Sequence, residues 1–148
     1  FSRIMSLKDG SKKMSKSELS DLSRINLTDN KDQIINKIKK AKTDPLPLPK
    51  SLKEIDERVE AKNLIGIYAS LTNSTLEKSI ENFAGKNFSE FKEKLSQVLV
   101  DKIEPISAEI KKLLADQEYL DQILLEGVEK ANSIASKKIE RIKEIVGF

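Results

Sequence analysis

The chain has 148 residues, of which 38% are hydrophobic and only 5% aromatic, with no Cys and no His. That is enough for one compact domain or two small lobes built on Leu, Ile and Val, and it excludes a disulfide scaffold, a thiolate metal site and imidazole acid–base chemistry within the chain. Net charge is +3, unevenly spread: residues 1–50 carry 12 Lys and Arg against 6 Asp and Glu, and residues 51–148 carry 15 against 18, so an anionic partner is expected at the first third.

No apolar run approaches membrane-spanning length, and Phe1-Ser2-Arg3-Ile4-Met5 is not a signal peptide. A start at Phe1 in place of Met reads as a trimmed chain, and the lack of Cys fits a cytoplasmic setting. Arg3-Ile4-Met5-Ser6-Leu7 alternates and predicts a buried strand end. Lys8-Asp9-Gly10-Ser11 reads as a turn in which Asp-Gly tolerates positive φ. Lys12 to Ser17 has no apolar period and predicts a mobile loop, and Glu18 to Arg24 has room for a short helical turn. Thr28 or Asp29 is the expected cap of a helix over about Lys31 to Lys42, with Ile34, Ile35, Ile38 and Ala41 inward and Lys37, Lys39, Lys40 and Lys42 beside them.

Thr43-Asp44-Pro45 stops that helix. Leu46-Pro47-Leu48-Pro49 reads as an extended linker, or as an ordered crossover if its leucines are buried. The proline spacing predicts a boundary near residues 45–53. The remainder predicts helices: about Ile55 to Leu71; Thr75 to Phe83, with Leu76, Ile80 and Phe83 inward; and a run from Glu90 to Leu114. In that run Pro105 either kinks one helix or opens a second. The last helix, about Gln117 to Val146, carries a stripe from Leu120, Ile123 and Leu124 to Ile139, Ile142 and Ile145, and Gly147 is its expected C-cap. Tyr68 and Tyr119 fall on helical stripes and read as core.

Gly10-Ser11-Lys12-Lys13-Met14-Ser15-Lys16-Ser17 is the one segment suited to phosphate. It gathers three ammonium groups, several hydroxyls and unpaired backbone N–H groups, and a lysine point charge suits a charge migrating along a polyphosphate. A Walker loop it is not, because the glycine cradle and its fixed spacing are missing.

Lys13-Met14-Ser15-Lys16-Ser17 spells the signature of class I aminoacyl-tRNA synthetases, and its surroundings resemble the bacterial tryptophanyl-tRNA synthetases. Arg3 to Leu7 resembles the strand before the loop in that family, and Asp32 to Asp44 the helix after it. Asn63-Leu64, Ile67-Tyr68, Leu114-Ala115-Asp116, Tyr119-Leu120, Gly127, Lys130-Ala131 and Ile134-Ala135 follow in order. The chain departs from the family at Glu18, where Asp is common, and at Glu60-Ala61-Lys62, where many relatives have Gly-Val-Ser.

The resemblance implies a mainly α chain. A helical, bundle-like anticodon-binding domain over residues 49–148 would follow residues 1–48, which comprise the last strand, signature loop and helix of a truncated Rossmann-like catalytic domain. It implies a tryptophan–tRNA ligase fragment, inactive alone, that activates L-tryptophan with ATP and transfers it to tRNA(Trp). Lys13 and Lys16 would be catalytic, holding the triphosphate as charge moves onto pyrophosphate. Met14 would meet the adenosine edge through its backbone, Ser15 would donate to a phosphate, and Ser17 would fix the loop's base. Mg²⁺ would arrive with ATP, with no protein metal site, and L-tryptophan would bind in the upstream half of a homodimeric enzyme. Lys78, Lys86, Lys92, Lys94, Lys111, Lys112, Lys137, Lys138, Arg141 and Lys143 are candidates for tRNA phosphate contact.

A different class of function is a non-enzymatic helical protein-interaction module with an unstructured lysine-rich N-terminal arm. The net −3 of residues 51–148 argues against a third class, the nonspecific nucleic-acid binder.

Overall fold

A computed structural model describes residues 3–147, so Phe1, Ser2 and Phe148 lie outside it. A 3₁₀ turn at Asp21–Ser23 precedes six helices: α1 (Lys31–Lys39), α2 (Leu52–Asp56), α3 (Val59–Leu71), α4 (Leu76–Phe83), α5 (Phe88–Ala115) and α6 (Gln117–Val146). The chain divides into two compact units, Phe1–Ala108 and Glu109–Phe148.

In the first unit, α3 is apolar nearly all round, and Ala61, Leu64, Ile65, Ile67 and Ala69 are all buried, as expected of a helix covered on every side. Ile34 and Ile38 of α1, Ile80 of α4, and Phe91 and Leu95 of α5 pack into the same core. An aromatic cluster sits within it: the Phe83 ring meets Tyr68 at 5.0 Å and Phe91 at 4.9 Å, both edge-on, the favoured arrangement of ring quadrupoles. Local signals set the helix ends. Asn30 and Gln33 form a reciprocal capping box on α1, Thr75 caps α4 through the Lys78 N–H, and Gly147 ends α6 in the left-handed region at φ +84°.

The expected last strand of a Rossmann-like domain does not form: no strand exists among the described residues. Met5 and Lys13 make only an isolated antiparallel bridge. The backbone bonds that flank this bridge make one pair and no longer ladder, and the other edge of Met5 is bonded by a side chain, the amide of Asn63.

Two other expectations change, and two open alternatives are resolved. The cap of α1 is Asn30, because Asp29 is turned inward to Lys37 Nζ at 2.6 Å. The helix expected from Ile55 to Leu71 breaks at Glu57 and Arg58, where the Arg58 guanidinium reaches Asp44 and the carbonyls of Leu46 and Pro47. Leu46-Pro47-Leu48-Pro49 is the ordered crossover: Leu48 is buried and exchanges backbone bonds with Lys86 and Gly85. Pro105 lies inside one continuous helix, α5.

In the second unit no residue of the α6 stripe is buried: all but the half-buried Leu120 are exposed, and so is Tyr119, which its spacing places in a core. Periodic spacing records which face is apolar, whereas burial needs a surface to cover it. The unit itself offers only the end of α5, from Glu109 to Ala115. No described helix is long and apolar enough to cross a membrane.

Candidate functional site

The segment from Arg3 to Met14 folds back on itself. Ser6 N–H donates to the Lys12 carbonyl at 2.8 Å, Met14 N–H to Ile4 at 3.1 Å, and Lys12 N–H to Asp9 at 3.1 Å. The tip is an Asx turn in which Asp9 accepts from both the N–H and the hydroxyl of Ser11. Those bonds, with Lys12 nearby, hold the Asp9 carboxyl below its ordinary range. Leu7 is buried beneath the fold, donating to Ser23 and accepting from Lys42 N–H.

Helix α3 grips this fold-back at two points. Asn63 Oδ1 accepts from Met5 N–H at 2.9 Å, and Asn63 Nδ2 donates to the Met5 carbonyl at 2.8 Å. Gly10 lies so close to the start of α3 that a Cβ there would come within 2.8 Å of the Glu60 nitrogen and the Val59 carbonyl carbon. Gly10 is therefore glycine for close approach and not for positive φ, which it does not adopt. Lys42 pairs with Glu60 at 2.8 Å, and that pairing raises its pKa.

A cleft of about 880 Å³ opens beside the loop. Arg3, Ile4, Lys13, Met14, Ser15 and Lys16 line one part, and the stretch from Arg24 to Thr28 lines the rest. Among the described residues Lys13 and Lys16 make no ion pair, whereas Lys12 leans on Asp9 at 3.6 Å. Met14 is half-buried against the core, which anchors the loop where its flanking residues are exposed. Ser17 lies outside the cleft lining, and its hydroxyl shares a hydrogen bond with Ser15 at 2.8 Å. The arrangement offers two uncommitted ammonium groups next to an apolar lining of Ile4, Met14, Ile25 and Leu27. It suits a ligand with a polyanionic end and a flat or apolar end. Among the described residues no group of three His, Cys, Asp or Glu side chains could hold a metal ion.

Several residues that build the site escape pattern reading. Asn63 binds a backbone, which leaves no partner in the sequence to find. Lys37, which its spacing sets beside the apolar stripe of α1, is buried and bridges Asp21 at 2.7 Å and Asp29 at 2.6 Å. Of the lysines proposed for tRNA, Lys92 donates to the carbonyls of Lys39 and Ala41 at the end of α1, and burial lowers its pKa. Lys86 and Lys112 pair with Glu90 and Glu109.

The family profile described as tRNA synthetases class I (W and Y) matches residues 1–104, and the chain belongs to that family. Within it, the similarity is to bacterial tryptophan enzymes. The chain is 47% identical over 146 residues to a tryptophan–tRNA ligase of Caulobacter vibrioides and 49% identical to one of Agrobacterium fabrum, covering 99% of this chain and 42% and 41% of theirs. A crystal structure of tryptophanyl-tRNA synthetase from Mycoplasma pneumoniae superposes with a TM-score of 0.71 at 25% identity, over 99% of this chain and 45% of that one. The Campylobacter jejuni enzyme shares the fold at TM-score 0.72 and 22% identity, over 100% of this chain and 44% of that one. The chain thus spans under half the length of the relatives it matches.

Proposed function

We propose that this chain serves, within a longer protein, the ATP-dependent activation of L-tryptophan and its transfer to tRNA(Trp). Residues 1–48 would supply the triphosphate-binding loop of the catalytic part, and residues 49–148 the helices that meet the anticodon. The observation that carries this reading is the pair of unpaired lysines, Lys13 and Lys16, on a cleft whose remaining lining is partly apolar.

In activation, the amino-acid carboxylate attacks the α-phosphorus of ATP and the bond to the bridging oxygen of pyrophosphate breaks. Negative charge then builds on the departing phosphates. Ammonium groups already aimed there stabilise the transition state more than bound ATP, which is what accelerates the step. Lys13 and Lys16 take that role. Ser15 donates a hydrogen bond to a phosphate, Met14 borders the adenosine through its backbone, and Ser17 holds the base of the loop through Ser15. Mg²⁺ enters as part of the ATP substrate. L-Tryptophan binds in the remainder of the longer protein, which we take to be a cytoplasmic homodimer.

In the full-length protein, Lys13→Ala and Lys16→Ala should each slow single-turnover adenylate formation by roughly 10²-fold, while tRNA binding stays within about twofold. An adenylation rate equal to that of the parent in both variants would overturn the reading.

A further inference from the structure

Among the described residues, one hydrogen bond joins the stretch Ser15–Leu19 to the rest of the molecule: Arg24 Nη1 donates to the Glu18 carbonyl at 2.9 Å. The bonds of Ser15 and Ser17 stay within the loop, and Leu19 is fully exposed. All three guanidinium nitrogens of Arg24 are engaged. Nε donates to Asn26 Oδ1 at 3.1 Å, and Nη2 pairs with Asp21 at 3.2 Å. Asp21 is itself held at 2.7 Å by Lys37, whose side chain is only 3% exposed and which also binds Asp29. Asn26 closes the cluster, its Nδ2 donating to Asp21 and its backbone N–H to Asp29. A continuous polar path therefore runs from the interior face of α1 to the residue that follows the signature loop.

We propose that Arg24 is a positioning residue that pins the far end of this loop, so that Lys16 and Ser15 keep a fixed station on the cleft. This rests on the reading of the cleft as the triphosphate site. Arg24 also lines that cleft, but Asp21 offsets its charge, so its contribution comes from geometry more than from attraction of phosphate. A planar fork that serves three acceptors at once cannot be replaced by an ammonium, which keeps the charge and loses the shape. Displacements of about 1 Å in a group that touches the reacting atoms are enough to cost rates of this kind.

The test compares Arg24→Lys, Arg24→Met and Lys16→Ala in the full-length protein, by single-turnover adenylate formation and by amide hydrogen exchange across residues 15–20. Both Arg24 variants should slow adenylation at saturating ATP roughly tenfold, with KM for ATP changed less than about twofold, and should speed exchange at residues 15–20. Wild-type kinetics for Arg24→Lys would mean that only the charge matters and would overturn the proposal, as would unchanged exchange in both variants. If Lys16→Ala is also silent, the triphosphate reading itself fails; if Lys16→Ala is slow and Arg24→Lys is not, the pinning alone fails. Should Arg24→Met fail to fold, Asp21→Ala at a half-exposed position gives the same exchange readout, and a rate of exchange equal to the parent's counts against the proposal.

Discussion

Asn63 spends both hydrogen-bonding ends of its side-chain amide on the backbone of Met5, accepting at 2.9 Å and donating at 2.8 Å. Asn63 is buried, so truncation would strand the Met5 N–H and C=O in a place water reaches poorly. Leaving a buried donor or acceptor without a partner costs about 1–3 kcal/mol. Asn63→Ala should lower thermal stability accordingly and slow adenylate formation in the full-length protein. Asn63→Asp should be nearly as damaging, because a carboxylate cannot donate to the Met5 carbonyl. Recovery of wild-type stability by Asn63→Asp in melting experiments would contradict the two-bond account.

Gly10 gives an independent check on the same contact. A methyl group there would meet backbone atoms of Val59 and Glu60 at 2.8 Å, and backbone cannot swing aside as a lysine tip can. Gly10→Ala should destabilise by about 1–3 kcal/mol, the usual cost of overpacking. Gly85→Ala is a different case, since its nearest neighbour is the flexible end of Lys50 at 3.2 Å and the penalty comes from φ +71°. Equal melting temperatures for Gly10→Ala and the parent would refute the close approach.

The charge cluster under the cleft should respond to removal of one partner. Lys37→Met leaves Asp29, with a side chain 4% exposed, without its cation. Breaking such a pair from one side costs about 3–5 kcal/mol, whereas replacing both partners with apolar groups is often close to neutral. Lys37→Met combined with Asp29→Asn, which removes the buried charge and still accepts from the Asn26 N–H, should therefore be more stable than Lys37→Met alone, as measured by denaturant titration. A double variant less stable than the single one would argue against a desolvated pair.

The Asp44–Arg58 pair should make the crossover acid-sensitive. Burial opposes ionisation of Asp44, but bonds from Arg58 and the Leu46 N–H outweigh it and hold the carboxyl below its ordinary 3.8. A carboxyl whose pKa is depressed by folding adds stability above its unfolded value, and that stability fades as pH falls through the folded value. The stability gap between the parent and Asp44→Asn should be constant near neutrality and close below about pH 4. Chemical denaturation across that range measures it, and a gap that widens with acid would reverse the assignment.

Much of the helical framework is legible in the sequence because its determinants are local. Ile34 and Ile38 recur at one turn's spacing, Thr75 stands immediately before α4, and Gly147 immediately after α6. Alternation from Arg3 to Leu7 describes a chain fit for pairing, whereas a strand needs a ladder longer than the single bridge formed here. Asp29 looked like a cap because short acidic side chains favour that position, yet Lys37, eight residues on, outbids the helix end. At the candidate site, Lys13 to Ser17 stand out as a contiguous motif. Asn63, Arg24 and Lys37 do not, because each acts on a group set by the tertiary fold.

The amide of Asn63 stands in for a neighbouring strand, and it does so across 58 residues of chain. Closing a loop of that length costs entropy that a local contact does not, so the anchor holds only while α3 itself is folded. Helix α3 thus gives the fold-back one fastening beside those that Ser23, Lys42 and Arg24 supply. Loosening α3 is therefore expected to loosen the chemistry-bearing element with it.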